Sequence, residues 1–320
     1  MRIAVYGVGG VGGYFGARLV QAGQDVAFIA RGDHLEAIRS KGLCVTTPNG
    51  ETLVQPAIAT DDPGDIGSVD VVILGVKAEQ VVEVAASVEP MLGEKSFVVP
   101  LQNGVEAPTQ LRTILGREHV VAGLCGIMSW ISAPGHIRTL GDVHFIRFGE
   151  LDNRPSERTN SLRRVFEAAG VKAEIPADIH QALWEKFLFV ASLGGMGAAL
   201  GKPFGAIRED AESRRMLELA MGEIFALGRV RGATLGDDLV ERTMKFVDSL
   251  PDEGTASLQR DIAEGKPSEL EAWSGAVVRL GRESGIEVPV HTFIYVTLLP
   301  AERKARAAKF KHTALGITRN

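Results

Sequence analysis

Cysteine is almost absent: the 320 residues hold two, Cys44 and Cys125, far apart and in apolar surroundings. They provide neither a disulfide framework nor metal-ligand spacing, which predicts a reducing compartment and a cytoplasmic location. The seven histidines are scattered without an i, i+4 pair, so no metal site is assigned. Positive charge is not in excess either. A formal net charge of −5 argues against a general binder of nucleic acid or anionic membrane, because phosphate backbones demand a basic surface. No basic n-region followed by an apolar h-region opens the chain, and no apolar run approaches the length of a membrane span, so no membrane partner is expected. With 45% hydrophobic and 23% charged residues, disorder is not expected, and the length suits two domains.

Glycine, by contrast, is plentiful at the start. Arg2-Ile3-Ala4-Val5-Tyr6 reads as a buried strand, Gly7-Val8-Gly9-Gly10-Val11-Gly12 fits G-x-G-x-x-G, and residues 14–21 carry apolar side chains at helical spacing before Gly23. Strand, glycine turn and helix in this order predict a dinucleotide site. Gly7 allows the tight turn, Gly9 lets the backbone approach a pyrophosphate, and Gly12 lets helix and strand pack closely. The diphosphate then rests on the free N–H groups of the helix N-terminus, which makes residues 7–12 the cofactor loop.

Residues 25–30 read as the second strand of a βαβ unit, and the residue that follows selects the cofactor. A carboxylate there would hydrogen-bond the ribose 2′-hydroxyl of NAD and repel a 2′-phosphate. The chain has Arg31, whose fork of donors suits phosphate, so NADP is expected. Asp33 with Glu36 makes a capping pattern for the next short helix. The runs 43–47 and 52–55 flank Pro48-Asn49-Gly50-Glu51 and predict a hairpin. Residues 69–76 and 97–101 are continuously apolar, as buried parallel strands are, and helix-like sequence follows each at 79–92 and 107–115. After an apolar run at 120–131, residues 136–140 and 143–149 alternate around Gly141-Asp142, predicting antiparallel strands that close the sheet. A helix at 156–169 and a short strand at 171–175 complete this half.

From Asp178 the periodicity is helical throughout, over 181–193, 211–231, 236–249, 256–264, 269–284 and 292–308. The expected architecture is therefore an α/β Rossmann-type dinucleotide-binding domain, residues 1–176, followed by an all-α domain, residues 177–320. The run Gly194-Gly195-Met196-Gly197 costs about 1 kcal/mol per glycine relative to alanine within a helix, so a helix break is expected there. The cations of the C-terminal tail read as a solvated helix end. A homodimer through the long helices stays open, since the domain's own core explains their apolar faces equally well.

Ligands of such a fold sit at the carboxyl ends of the strands, which makes Lys77 and Asn103, each just after an apolar strand, candidates for the cofactor and substrate site. A snorkelling lysine and a turn-forming asparagine are the plainer explanations. Further segments recur in a fixed order: GVGGVG at 7–12, Arg31, VKA at 76–78, QNG at 102–104, LWEKF at 183–187, SLQRD at 257–261 and SELEAWSGAVVRLG at 268–281. In these the chain resembles the ketopantoate reductase (2-dehydropantoate 2-reductase) family over almost its full length.

The resemblance implies an NADPH-dependent reductase of pantothenate biosynthesis, with its site in the cleft between a Rossmann domain and a helical domain. It implies that Lys186 is the catalytic acid, that Lys77 and Asn103 line the cofactor and substrate site, and that Ser257 and Glu269 reach the substrate. The chemistry agrees. Hydride arriving at a 2-oxo carbon leaves charge on the carbonyl oxygen, which needs a proton and a positive neighbour, and a lysine supplies both. Glu269 also has a plainer role, because Ser268 with Glu271 reads as a capping box and an acid in the first turn suits the helix dipole.

One departure bears on the substrate. Family members usually carry asparagines four and eight residues after the lysine, where this chain has Val190 and Gly194. Both positions share the helical face of Lys186, so the substrate-binding wall is expected to be less polar and, at Gly194, roomier. The expected reaction is reduction of 2-dehydropantoate to pantoate. The rivals are a bulkier or more apolar 2-oxo acid, and a sensor that binds NADPH without turnover.

Overall fold

The computed structural model describes residues 1–314 and, among these, every side chain except those of 142–143 and 309–314. The chain forms two compact units, one made of Met1–Gln102 and Glu106–His180, the other of Asn103–Val105 and the residues from Gln181 onward. The first is α/β and the second all-α.

In the first unit, β1 (Arg2–Tyr6), α1 (Gly10–Gln21) and β2 (Asp25–Ile29) form the opening βαβ, and α2 (Gly32–Lys41) follows. After β3 (Leu43–Thr47) and β4 (Gly50–Val54) come β5 (Ile58–Thr60), β6 (Val69–Leu74), α3 (Val81–Val88) and β7 (Leu92–Pro100). The main sheet has the order β5-β2-β1-β6-β7 with every pair parallel. Ile3, Ala4 and Val5 of β1, and Val71, Val72, Ile73 and Leu74 of β6, are fully buried, which is why these strands are apolar without alternation. The helical stretch at 79–92 is interrupted: only α3 is α-helical, with 3₁₀ turns at Ala78–Gln80 and Glu89–Met91 on either side.

The unit continues with α4 (Ala107–Leu115), β8 (Val121–Ala133), β9 (His136–Glu150), α5 (Glu157–Ala168) and β10 (Lys172–Glu174). Here the expectation of two short strands closing the main sheet is corrected. β9 is one strand of 15 residues, paired antiparallel with β8, and it belongs to a second sheet of order β10-β9-β3-β4. The hairpin turns at Pro134-Gly135. Gly141, at φ +75°, sits where the register shifts between Gly126↔Phe145 and Met128↔Leu140. A glycine in the left-handed region is as much the signature of a bulge as of a turn, and sequence alone does not separate the two.

The second unit comprises α6 (Ile179–Leu200) from Gln181 on, α7 (Phe204–Glu209), α8 (Ala211–Val230), α9 (Leu239–Asp248), α10 (Ser257–Ala263), α11 (Ala276–Ser284) and α12 (Pro289–Ala314), with a π-helical turn, Glu271–Gly275, leading into α11. Phe187, Leu188 and Ala191 of α6 pack in one core with Met221 and Ile224 of α8, Trp273, Val277 and Ile294. By length and composition α6 is apolar enough to cross a membrane, contrary to the reading of the bare sequence, but most of it is buried within this unit, whose core accounts for its composition.

The expected break at Gly194–Gly197 is absent, and α6 runs unbroken to Leu200. Its glycines are filled from outside. A Cβ on Gly195 would stand 3.1 Å from Ile294 Cγ2, and one on Gly197 would stand 2.7 Å from Gln259 Oε1. Close packing outweighs the propensity cost.

Candidate functional site

The first group of site residues surrounds the end of β1. Gly7 has φ +92°, and a Cβ there would meet Val76 Cγ1 at 2.7 Å, so the turn admits no other residue. On Gly12 a Cβ would stand 2.1 Å from the Gly7 carbonyl oxygen, and on Gly10 it would stand 2.5 Å from that of Ser129. Gly9 differs: nothing lies within 4 Å of its absent Cβ. Gly9 is also the N-cap of α1, where no side chain caps the helix and the first turn holds no acid. Val8 is buried beneath this loop, and Val11 in the first turn is half-buried. The open space lies where a diphosphate would rest on the helix N-terminus, so the loop fits the pyrophosphate of a dinucleotide.

Arg31 follows β2, which pairs with β1 through Tyr6↔Ile29. It is exposed, and while its backbone carbonyl accepts the Leu35 N–H at 3.4 Å, its guanidinium has no hydrogen-bond partner among the described residues, which suits it to a phosphate. It is also the N-cap of α2, so the helix starts one residue before the expected Asp33–Glu36 cap; Asp33 lies within the first turn and Glu36 pairs with Arg39 at 3.3 Å.

Sequence reasoning overlooked His34. Its Nε2–H donates to the Val8 carbonyl at 2.8 Å, while Nδ1 accepts the Gly135 N–H at 3.0 Å, a pair of bonds that fixes the neutral tautomer. Burial lowers its pKa below the ordinary value, and nearby His136 lowers it further, while the bond to Val8 opposes this. The ring ties the glycine loop to the β8–β9 turn, a partner 101 residues away that no local pattern announces.

Past β6, Lys77 is exposed, and its backbone N–H donates to Gln80 Oε1 at 3.3 Å. Gln102, the first residue of the QNG motif, is buried and was given no role. Its Nε2 donates to the carbonyls of Leu74 at 2.8 Å and Val76 at 2.9 Å, which pins the segment that delivers Lys77.

The second group belongs to the helical unit. Lys186 and Val190 are half-buried on α6, and Gly194 is buried; steps of four place all three on one face. The neighbouring Glu185 carboxylate accepts from Gln181 Nε2 at 3.0 Å and Arg242 Nη2 at 3.1 Å. Gly194 does not open a roomier pocket: a Cβ there would stand 2.5 Å from Trp273 Cζ3 and 3.2 Å from Ala256 Cβ, so the indole occupies that space. Ala256 is the N-cap of α10, and Ser257, half-buried, is its first residue. Asn103 is half-buried, and the next residue, Gly104, would place a Cβ 3.5 Å from the Ala272 carbonyl. The structure thus gathers Gly194, the start of α10, the 103–105 segment and the turn around Trp273.

Glu269 lies at the head of that turn, its carbonyl accepting the N–H of Ala272 at 3.1 Å and of Trp273 at 3.0 Å. The expected Ser268–Glu271 capping box does not form. Instead the buried carboxylate of Glu302, 1% exposed, accepts Ser268 N–H at 3.0 Å and Ser268 Oγ–H at 2.5 Å. Arg306 joins Glu302 at 2.6 Å and donates to the Ser268 carbonyl at 3.0 Å, so this cation of the C-terminal tail holds the turn instead of facing water. Glu271 accepts from Tyr295 Oη–H at 2.7 Å.

The arrangement therefore has two parts: a loop shaped for a dinucleotide, and a helical face on which a lysine stands beside an apolar wall. Comparison with known proteins agrees. Residues 3–153 match the family described as ketopantoate reductase PanE/ApbA, and residues 178–302 match its C-terminal domain. The chain is 31% identical over 300 residues to an uncharacterized oxidoreductase, YkpB, of Bacillus subtilis, an alignment covering 93% of this chain and 98% of the relative. It is 30% identical over 303 residues to a 2-dehydropantoate 2-reductase of Mesorhizobium japonicum, covering 88% and 92%. The crystal structure of a PanE/ApbA family ketopantoate reductase from Ralstonia eutropha superposes with a TM-score of 0.87 at 29% identity, covering 96% of this chain and all of the other.

Proposed function

Because the chain belongs to the ketopantoate reductase family, an NADP-dependent oxidoreductase family, we propose that it reduces a short 2-oxo acid to the 2-hydroxy acid, 2-dehydropantoate to pantoate in the first instance, with Lys186 as general acid. The observation that carries this reading is the α6 face, which sets half-buried Lys186 in line with Val190 and with Gly194, where Trp273 and the start of α10 converge.

Bound NADPH supplies the hydride. The loop 7–12 would hold its diphosphate and Arg31 its 2′-phosphate. Lys77 and Asn103 are the polar groups beyond β6 and β7 that would orient cofactor and substrate. The Lys186 ammonium offsets the negative charge that develops on the carbonyl oxygen and delivers the proton that completes the hydroxyl. Ser257 and Glu269 are assigned to the substrate, Glu269 held by the Ser268–Glu302–Arg306 cluster.

The test is NADPH oxidation with 2-dehydropantoate and other 2-oxo acids, repeated with NADH. Lys186→Ala is expected to lower kcat by about 10²–10⁴-fold, and Arg31→Ala to weaken NADPH while sparing NADH. Full activity in Lys186→Ala would overturn the assignment; tight NADPH binding with no acid reduced would support a sensor instead. A second reading, a more apolar 2-oxo acid, is favoured by the carbon surface that half-buried Val190 presents; Gly194 no longer argues for a bulkier acid, since the indole fills the space beside it.

A further inference from the structure

We propose that Trp273 is a specificity-determining residue of this site: seated on Gly194, its indole ends the α6 wall and restricts the enzyme to 2-oxo acids with short side chains. This rests on the reductase reading with Lys186 as proton donor, and it names the class of acid that the site accepts.

At a rise of 1.5 Å per residue, Val190 stands about 6 Å and Gly194 about 12 Å along α6 from Lys186, on the same face. On the reductase reading, a substrate whose carbonyl oxygen meets Lys186 would lay its side chain past Val190 toward Gly194. A bare glycine would leave a recess at that point, and the structure fills it. The Cζ3 and Cε3 atoms of Trp273 lie 2.5 and 3.2 Å from the position a Gly194 Cβ would take. The ring can approach this closely only because residue 194 has no side chain.

Two features set the ring there. The Ala256 Cβ, 3.2 Å from that same point, bounds the recess on the α10 side. The π-helical turn Glu271–Gly275 widens the backbone around Trp273: Gly275 N–H reaches the Leu270 carbonyl at 3.0 Å, five residues back, while Trp273 N–H bonds to Glu269 at four. Insertions of this kind displace the residues around them and occur frequently at functional sites.

The choice of tryptophan is informative. Trp273 is 2% exposed, and its Nε1–H has no acceptor among the described residues. A position selected only for core stability would carry a ring or branched chain without that donor, because a buried unpaired N–H is unfavourable. The benefit of the indole here is its size.

The experiment compares kcat/KM of the full-length enzyme, with saturating NADPH, for 2-dehydropantoate and for phenylpyruvate, a 2-oxo acid with a long aromatic side chain. Trp273→Leu is expected to raise the phenylpyruvate-to-dehydropantoate ratio about tenfold or more, chiefly through a lower KM for phenylpyruvate. Trp273→Phe, which keeps a ring on Gly194 and removes the unpaired donor, is expected to shift it by less. An unchanged ratio in a folded Trp273→Leu protein would make Trp273 a core residue only and overturn the proposal. Should that variant fail to fold, Trp273→Phe decides, and no shift there overturns it as well. A wild-type enzyme that reduces neither these acids nor any other short 2-oxo acid would overturn the reductase reading itself, whereas turnover with an unmoved ratio overturns the size limit alone.

Discussion

Two stretches of this chain are rich in glycine, and they use the residue in opposite ways. In the loop after β1, the absent Cβ of Gly9 faces open space beside an uncapped helix N-terminus. In α6, the absent Cβ atoms of Gly194, Gly195 and Gly197 face Trp273, Ile294 and Gln259. The first glycine leaves room for a ligand; the others leave room for the protein itself. Both stretches look alike as sequence, and the difference lies in what arrives from elsewhere in the chain.

The harshest way to break this comparison lies inside the loop. A methyl group on Gly12 would stand 2.1 Å from the Gly7 carbonyl, a backbone atom fixed by β1 that cannot step aside. Gly12→Ala is expected to destabilise the first unit by about 3 kcal/mol or more, at the upper end of overpacking costs, as read by thermal unfolding. At Gly9 the same substitution meets no protein atom. Its stability cost is expected to stay below about 1 kcal/mol, the scale of an N-cap change, while NADPH affinity falls by about tenfold or more. A Gly9→Ala protein that binds NADPH normally would mean that the open space is not the cofactor's.

Gly194→Ala carries the comparison into α6. Alanine favours the helix by about 1 kcal/mol, yet its methyl group would meet a rigid indole at 2.5 Å. A net destabilisation of about 1–2 kcal/mol is expected. In a Trp273→Leu background the sign should reverse, since the obstacle is gone and the propensity gain remains. Additive effects in the double variant would show that residues 194 and 273 do not share one space.

The same contrast explains which parts could be read in advance. The Rossmann-type unit was legible because its signals are local: a buried strand, a glycine loop and a helix lie within residues 2–21, and Arg31 follows the next strand directly. The helices of the second unit, apart from the short α7, were legible from periodicity, and resemblance singled out Lys186, Ser257 and Glu269. What filled the recess at Gly194 was not, because Trp273 lies 79 residues further along the chain (273 − 194) and reaches it through a π-helical turn that no propensity announces. The Ser268–Glu271 box failed for a like reason: Ser268 Oγ accepts the Leu270 N–H at 3.3 Å, but a buried glutamate 34 residues away, Glu302, takes the Ser268 N–H in place of Glu271. The Gly141 bulge misled in the other direction, a local signal whose meaning depended on the partner strand β8.

A histidine offers the mildest way to sharpen the comparison, because it acts on the open loop without entering it. His34 holds Val8 through Nε2–H and receives Gly135 through Nδ1, and only the neutral ring can do both. Burial holds its folded-state pKa below the ordinary value of about 6.5. Its contribution is therefore complete above about 6.5 and is lost as the pH falls through the lowered value, where protonated Nδ1 must release the Gly135 N–H. Acidification through that range is expected to loosen the loop and weaken NADPH binding about two- to tenfold, the equivalent of one neutral hydrogen bond. The 2′-phosphate of NADPH itself titrates in this pH range, so the informative quantity is the difference between the wild-type binding profile and that of His34→Gln, which keeps an amide donor but cannot titrate. Identical profiles would show that the loop keeps its open form without the histidine, and that its glycines and the end of β1 are enough to hold it.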